Sequence, residues 1–382
     1  MKIVIAPDSY KESLNANEVA DAIQTGFMSV FPDAEYIKVP MSDGGEGLVK
    51  ALVSVTNGKY RTVRVTSPVI GLEVDATYGI LGDNETAIIE VAEASGLHLA
   101  VGEHRNPLLT TTFGTGELIK DALDQGLRKI TLGLGGSATN DGGVGMAMAL
   151  GIVFLDKDDE SIGLGGSALS SLKTIDFSNI DPRINECQIN IACDVENTLC
   201  GPSGASHMFG SQKGGSNEDL VFLDKCLDNL GSVIQETLNI ELKHTKGAGA
   251  AGGLGAGAIA FLNAKLEKGI DVVIKAVNLV SICSDADLLI TGEGKIDGQT
   301  VYGKTPIGVA KCGKTYDVPV IAIAGCLGKG FEDVYEHGID AAFSTMISVV
   351  DLPTALANAK QDLTSTARNV ATSVSMFMNK EH

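Results

Sequence analysis

The stretch KIVIAPDSYKES, residues 2–13, opens the chain and points to its fold class. KIVIA is a short unbroken apolar run, of the kind buried on both faces of a parallel sheet. The APDSYKES that continues from it is polar, as a loop leaving a strand end should be. Asn15, with Glu18 three positions on, then has the pattern of a capping box, and Val19, Ile23, Phe27 and Val30 recur at helical spacing. The same alternation returns near the other end, with strands expected at 286–291 (ADLLIT), 318–324 (VPVIAIA) and 340–345 (DAAFST), helices between them and a helix at the C-terminus.

Between these ends the pattern changes. A strand at 35–40 and a helix at about 46–56, closed by Asn57 and Gly58, precede RTVRV, EVDATYGI and TAIIEVA, which read as antiparallel strands over residues 60–92. The sequence therefore predicts two α/β domains. An outer, doubly wound parallel-sheet domain is built from residues 1–58 and 285–382, and a second α/β domain, 59–284, is inserted in it. Strands at 129–134 and 189–193 fit either sheet on pattern alone.

Bulk properties narrow the function. With 382 residues and 44% hydrophobic content the chain can bury two cores. A net charge of −19 argues against nucleic acid or an anionic membrane as partner, since both demand a basic face. Seven cysteines stand singly, without a CxxC pair, which suits a reduced compartment and gives no zinc or redox motif. The apolar start is stopped by Asp8 and reads as a strand rather than a signal, and the uncharged run at 247–264 is mostly Gly and Ala. The expectation is a cytoplasmic protein; whether it self-associates is left open.

GLGGSATNDGG at 133–143 follows the strand KITLGL and precedes a helix-like run. Glycines there allow close backbone approach to an anion and helix N-terminal amides favour it, so Gly135, Gly136, Ser137, Thr139, Asn140, Gly142 and Gly143 are expected to cradle phosphate. GLGGSA recurs at 163–168 without flanking similarity, as a flexible turn rather than a repeat. Four other polar loops follow predicted strands, where open α/β sheets bind ligands. They carry Asp8, Asp43 with Glu46, Asp194, and Glu293 with Asp297.

Such carboxylates beside Gly-rich loops suit phosphoryl transfer, because Mg²⁺ takes one or two carboxylates plus nucleotide phosphates, and another carboxylate can accept the proton of the attacking hydroxyl. Lys11 and Lys304 are candidate cations for the transferring group. GQTVYGKT at 298–305 matches a P-loop pattern, but its first glycine lies eight residues past Ile290, too far from the strand. GAGAAG at 247–252 matches a dinucleotide fingerprint without a convincing strand before it. No histidine pair has ligand spacing, and no GxSxG elbow is present.

APDSYKES, DGGEG, GLGGSATNDGG, CDVENTLCG, GAGAAGGLG and TGEGKIDGQTVYGKTP, in this order from the first residues to beyond 325, resemble the type I glycerate kinases. The resemblance implies ATP- and Mg²⁺-dependent phosphorylation of D-glycerate, usually to 2-phosphoglycerate, in two α/β domains with the site between them. Carried over by position, it implies Asp8, Ser9, Lys11, Asp43, Gly44, Gly45, Ser137 to Gly143, Asp194, Glu293, Asp297 and Gln299 around the cleft. Of these, Asp8, Ser9, Gly44, Gly45 and Gln299 are expected near substrate, Asp43, Asp141 and Glu293 near metal, and Lys11, Asp194 and Asp297 in catalysis; Asp194 is the favoured base with Asp297 close behind, and the sequence does not separate proton acceptance from metal binding among the aspartates. Arg105 is the candidate grip for a substrate carboxylate, since a guanidinium holds both oxygens. The family often shows Phe and Gly where Tyr10 and Glu12 stand, and a proline where Thr198 stands, changes that touch loop stiffness more than chemistry. A kinase of another small hydroxy acid and a metabolite-binding regulator are the rival readings, with a nicotinamide oxidoreductase behind them.

Overall fold

The structure, a computed structural model, describes residues 1–42 and 47–378. Its contacts divide the chain into two compact units, Met1–Asp43 with Ile270–His382, and Gly44–Gly269. In the first unit five strands form a wholly parallel sheet. β1 (Lys2–Ile5) pairs on one side with β2 (Glu35–Lys38), and on the other the order runs β11 (Leu288–Thr291), β13 (Val320–Ala324), β15 (Ala341–Ser344).

The first helix, Ala16–Met28, starts at the expected capping box: Asn15 accepts from the Glu18 N–H, and the Glu18 carboxylate accepts from the Asn15 N–H. Its apolar stripe of Val19, Ile23 and Phe27 packs with Ile3, Ile5, Ile290 and Ile323 of the sheet and with Leu363 and Ala367 of the last helix, Leu352–Met378. The two helices meet closely because a Cβ on Gly26 would stand 2.6 Å from the Thr364 carbonyl oxygen. On the opposite face the helix Thr305–Lys314 lays Gly313 against Leu289 and Val320. Helices on both faces make this the expected doubly wound sheet. A short parallel pair, β12 (Lys295–Ile296) and β14 (Cys326–Leu327), stands past the ends of β11 and β13.

The second unit holds a mixed six-stranded sheet. β3 (Lys59–Thr66), β4 (Glu73–Ile80) and β5 (Thr86–Glu90) run antiparallel, as expected, and from β5 the sheet continues in parallel through β6 (Lys129–Gly133), β9 (Gln188–Ala192) and β10 (Lys265–Glu267). The two strands that pattern could not assign therefore lie in this sheet. β7 (Val153–Leu155) and β8 (Thr174–Asp176) form a separate antiparallel pair. Ile130, Leu132, Ile189 and Ile191 are buried with Leu118, Leu227 and Leu254 of the surrounding helices.

Both seams between the units fall earlier in the chain than the expected limits at 58/59 and 284/285. Helix Leu48–Val55 packs on β4 because Gly79 leaves room for Val53 and Val49, whose methyls lie 2.4 and 3.2 Å from where its Cβ would stand. Helix Gly269–Val277 packs through Ile270 on Gly308 of Thr305–Lys314.

Candidate active site

In the first unit the carboxylates after β1 and β11 come together. Asp8 accepts hydrogen bonds from the Ser9 N–H at 2.6 Å and from the Thr305 hydroxyl at 2.6 Å, and its own N–H donates to the Gly292 carbonyl at 2.8 Å. Thr305 is the first residue of its helix, so the helix start and the β1 loop are tied through one carboxylate. Glu293 accepts from the Thr300 hydroxyl at 2.7 Å, and Lys304 Nζ lies 3.7 Å away. Burial, with Asp8 and Asp297 adding repulsion, pushes the Glu293 carboxyl up to about 7.

Asp297 behaves oppositely. The Lys295 ammonium at 3.0 Å and the Gln299 N–H hold its carboxyl below the ordinary range. Ser9 stands beside Asp8, Gln299 is exposed on the same turn as Asp297, and Lys11 is exposed in the turn after β1. Tyr10 fastens that turn by donating to the Ile323 carbonyl at 2.7 Å. Asp8, Ser9, Glu293, Asp297 and Lys304 are thus gathered by the loops after neighbouring strands. Asp43, Gly44 and Gly45 lie outside the described residues.

In the second unit the glycine-rich turn behaves differently from its sequence. Gly135 and Gly136 are exposed and, with Arg105, Glu90, Glu93 and His98, line a cavity of about 400 Å³. Among the described residues neither glycine N–H donates to a protein atom. Ser137 is 7% exposed, whereas Thr139, Asn140, Gly142 and Gly143 are buried inside the unit. Those four, expected on the ligand, lie inside the unit behind the turn. Gly142, at φ +62°, meets Leu230, Gly143, at φ +74°, meets Leu254, and Asn140 donates to the Ser206 hydroxyl.

Asp141, expected near metal, is buried in the same way. It is 1% exposed and accepts from the backbone N–H groups of Thr112, Gly143 and Gly145 at 2.8, 3.2 and 3.3 Å, and from the hydroxyls of Thr112 and Thr111. Its carboxylate plugs the start of the short helix Val144–Ala149, so that helix end offers no open amides to a ligand. Burial raises its carboxyl from the usual range, against those hydrogen bonds. The second GLGGSA packs on the segment that follows the first, with the Cβ position of Gly166 2.7 Å from the Asn140 carbonyl oxygen.

Asp194 is exposed after β9 and accepts from the Gly269 N–H at 3.0 Å. Arg105 Nε reaches the Ala100 carbonyl at 3.4 Å beside the cavity. One residue that no motif singled out is Lys213: its Nζ, 2% exposed as a residue, donates to Ser137 Oγ at 2.9 Å and to the Thr139 carbonyl at 2.7 Å. Among the described residues no group of three His, Cys, Asp or Glu side chains forms a metal cage.

Residues 3–375 match the model of the glycerate kinase family. This chain belongs to that family. A family member is an ATP-dependent kinase, and the nicotinamide reading drops out. The chain is 53% identical over 369 residues to a glycerate kinase of Halalkalibacterium halodurans, covering 97% of both chains, and 50% identical over 378 residues to the glycerate 2-kinase of Escherichia coli K12, covering 99% of both. A crystal structure of a Salmonella typhimurium LT2 protein assigned as glycerate kinase 2 superposes with a TM-score of 0.87 at 48% identity, covering 99% of each chain. No described helix is long and apolar enough to cross a membrane.

Proposed function

We propose that the protein transfers the γ-phosphoryl group of ATP to the 2-hydroxyl of D-glycerate, giving 2-phosphoglycerate, in the cytoplasm. The observation that carries the reading is 50% identity over nearly the whole chain to a glycerate 2-kinase. The rival of another hydroxy acid draws no support from any of the similar proteins named above, and neither does a regulator without turnover.

The donor set after β1 and β11 suits Mg²⁺. Burial is what chiefly raises the Glu293 carboxyl, with Asp8 and Asp297 adding repulsion, and a cation beside Glu293 and Asp8 would offset both. That ion takes one or two carboxylates and completes its shell with phosphate oxygens and water. When bound there, Mg²⁺ would neutralise charge on the nucleotide phosphates.

The remaining roles fall to side chains. Asp194 accepts the proton of the attacking hydroxyl; Asp297 is the weaker base of the pair because Lys295 stabilises its ionised form. Arg105 grips the glycerate carboxylate, the unbonded N–H groups of Gly135 and Gly136 face a phosphate, and Lys11 and Lys304 offset charge on the transferring group. Ser9 and Gln299 orient the substrate.

The test is purified protein with ATP, Mg²⁺ and D-glycerate, ADP release followed by a coupled assay, and the product read by phosphorus NMR. ADP release at a turnover of about 1–100 s⁻¹ with a 2-phosphate signal is expected. Release with L-lactate or glycolate but not with D-glycerate would overturn the substrate assignment, and a 3-phosphate signal would overturn the position.

A further inference from the structure

Lysine is rarely fully buried without an ion-pair partner, because the charged form is strongly disfavoured away from water. Lys213 is such a residue. Its amine makes two hydrogen bonds, to Ser137 Oγ and to the Thr139 carbonyl, and no carboxylate stands within ion-pair distance among the described residues. Two further polar atoms of the same turn, Thr139 Oγ1 and Asn140 Oδ1, are buried without a partner. The residue after Lys213 is Gly214, at φ +96°, where a Cβ would stand 2.0 Å from the Arg105 carbonyl oxygen. The segment is therefore fixed between the 135–141 turn and the Arg105 loop, and both of those line the 400 Å³ cavity.

We propose that Lys213 is a positioning residue for phosphate: it holds the Gly135–Ser137 turn from behind, and it becomes charged as an anion enters the cavity bounded by Arg105, Gly135 and Gly136. The inference rests on the kinase reading above and names which turn takes the phosphate. Burial pushes the Lys213 amine down to about 7, with Asp141 opposing from within the unit. A neutral amine satisfies both of its acceptors with its two N–H groups, so the resting turn tolerates it uncharged. The charged and titratable groups lining the cavity in front of the turn are Arg105, Glu90, Glu93 and His98. An incoming anion restores the missing charge by raising the amine's proton affinity, which couples binding to uptake of a proton.

The experiment uses the full chain and two probes. Sulfate, which has no proton to exchange near neutral pH, and ADP are titrated calorimetrically at pH 7.5 in two buffers of different ionisation enthalpy. Wild-type protein is expected to take up a substantial fraction of a proton with sulfate, K213M none, and H98N the wild-type amount. Turnover of K213M is expected to fall by about 10²-fold, with part regained in K213R. No uptake by wild type, or equal uptake by K213M, overturns the proposal. If K213M does not fold, K213R decides, because a guanidinium is already charged at pH 7.5: loss of uptake in K213R supports the proposal, and uptake equal to wild type overturns it. The sulfate arm needs no glycerate turnover, so failure of the kinase reading shows separately, as absence of ADP release by wild type.

Discussion

Replacing Asp141 by alanine removes the acceptor of three buried backbone N–H groups, those of Thr112, Gly143 and Gly145. Each orphaned donor costs about 1–3 kcal/mol. The hydroxyls of Thr111 and Thr112 also donate to Asp141 but can rotate, and each already accepts a backbone N–H, from Phe113 and Met146 respectively. Loss of a desolvated carboxylate offsets part of the damage. A net destabilisation of about 3–5 kcal/mol follows, comparable with removing one partner of a buried ionic contact. For a unit of this size that is a fall in melting temperature of about 6–20 °C. Asp141→Asn keeps an acceptor oxygen but turns an amide donor toward other donors, so its loss should be smaller. Circular-dichroism melts and urea titrations of the three proteins give the numbers. Asp141→Ala melting within about 2 °C of wild type, with lost turnover restored by excess Mg²⁺, would refute the argument and return this carboxylate to the metal.

Glu293 gives a pH prediction of definite sign. Its carboxyl is raised from 4.5 to about 7, so the native state binds the proton more tightly than the unfolded chain, and the stability gained is present below 4.5 and lost as pH rises through 7. Glu293→Gln should flatten that dependence and be more stable than wild type at pH 8.5 by up to about 3 kcal/mol in buffer free of divalent cations; urea midpoints at pH 5, 7 and 8.5 test it, and equal slopes for the two proteins would contradict it. Asp194→Asn should lower turnover by about 10²–10⁴-fold with little change in melting temperature, because the amide oxygen can still accept from the Gly269 N–H; turnover within a few-fold of wild type removes Asp194 from the base role. Ala251 is held at φ +51° inside the kinked helix Ala250–Leu262, a conformation that disfavours a Cβ by about 1–2 kcal/mol, so Ala251→Gly should be neutral or stabilising by up to about 1 kcal/mol. The neighbouring Gly252→Ala should unfold the region, since its Cβ would stand 1.9 Å from the Thr139 carbonyl oxygen. Both are read from melting curves.

What the sequence revealed follows from how far each interaction reaches along the chain. The Asn15–Glu18 capping box and the apolar stripe behind it are local, and both stand as expected. The strands at 129–133 and 188–192 were visible as apolar runs, but an apolar run records burial and not the neighbour that supplies it, so their sheet could not be named. The carboxylates of Asp8 and Glu293 were found because a polar loop at a strand end is itself a local signal. Their ties to Thr305 and Thr300 were not, although the TVYGKT segment that carries both threonines is part of a P-loop pattern match.

The glycine-rich turn shows why charge in a motif need not face a ligand. Gly142, Gly143 and Gly145 bring backbone donors into the interior without side chains to satisfy them, and a buried N–H must find an acceptor. A carboxylate one residue before this run can turn inward and close the helix start, which is where Asp141 goes. The turn then leaves only Gly135 and Gly136 exposed and carries no cation of its own. Lys213, distant in sequence, reaches that turn from behind, and its neighbour Gly214 is the one local clue, since only a glycine at φ +96° can lie so near the Arg105 carbonyl. A lone lysine before two glycines otherwise looks like any solvated surface charge. With Asp141 turned inward, the exposed Gly135–Gly136 turn is tied to the interior by a lysine from elsewhere in the chain.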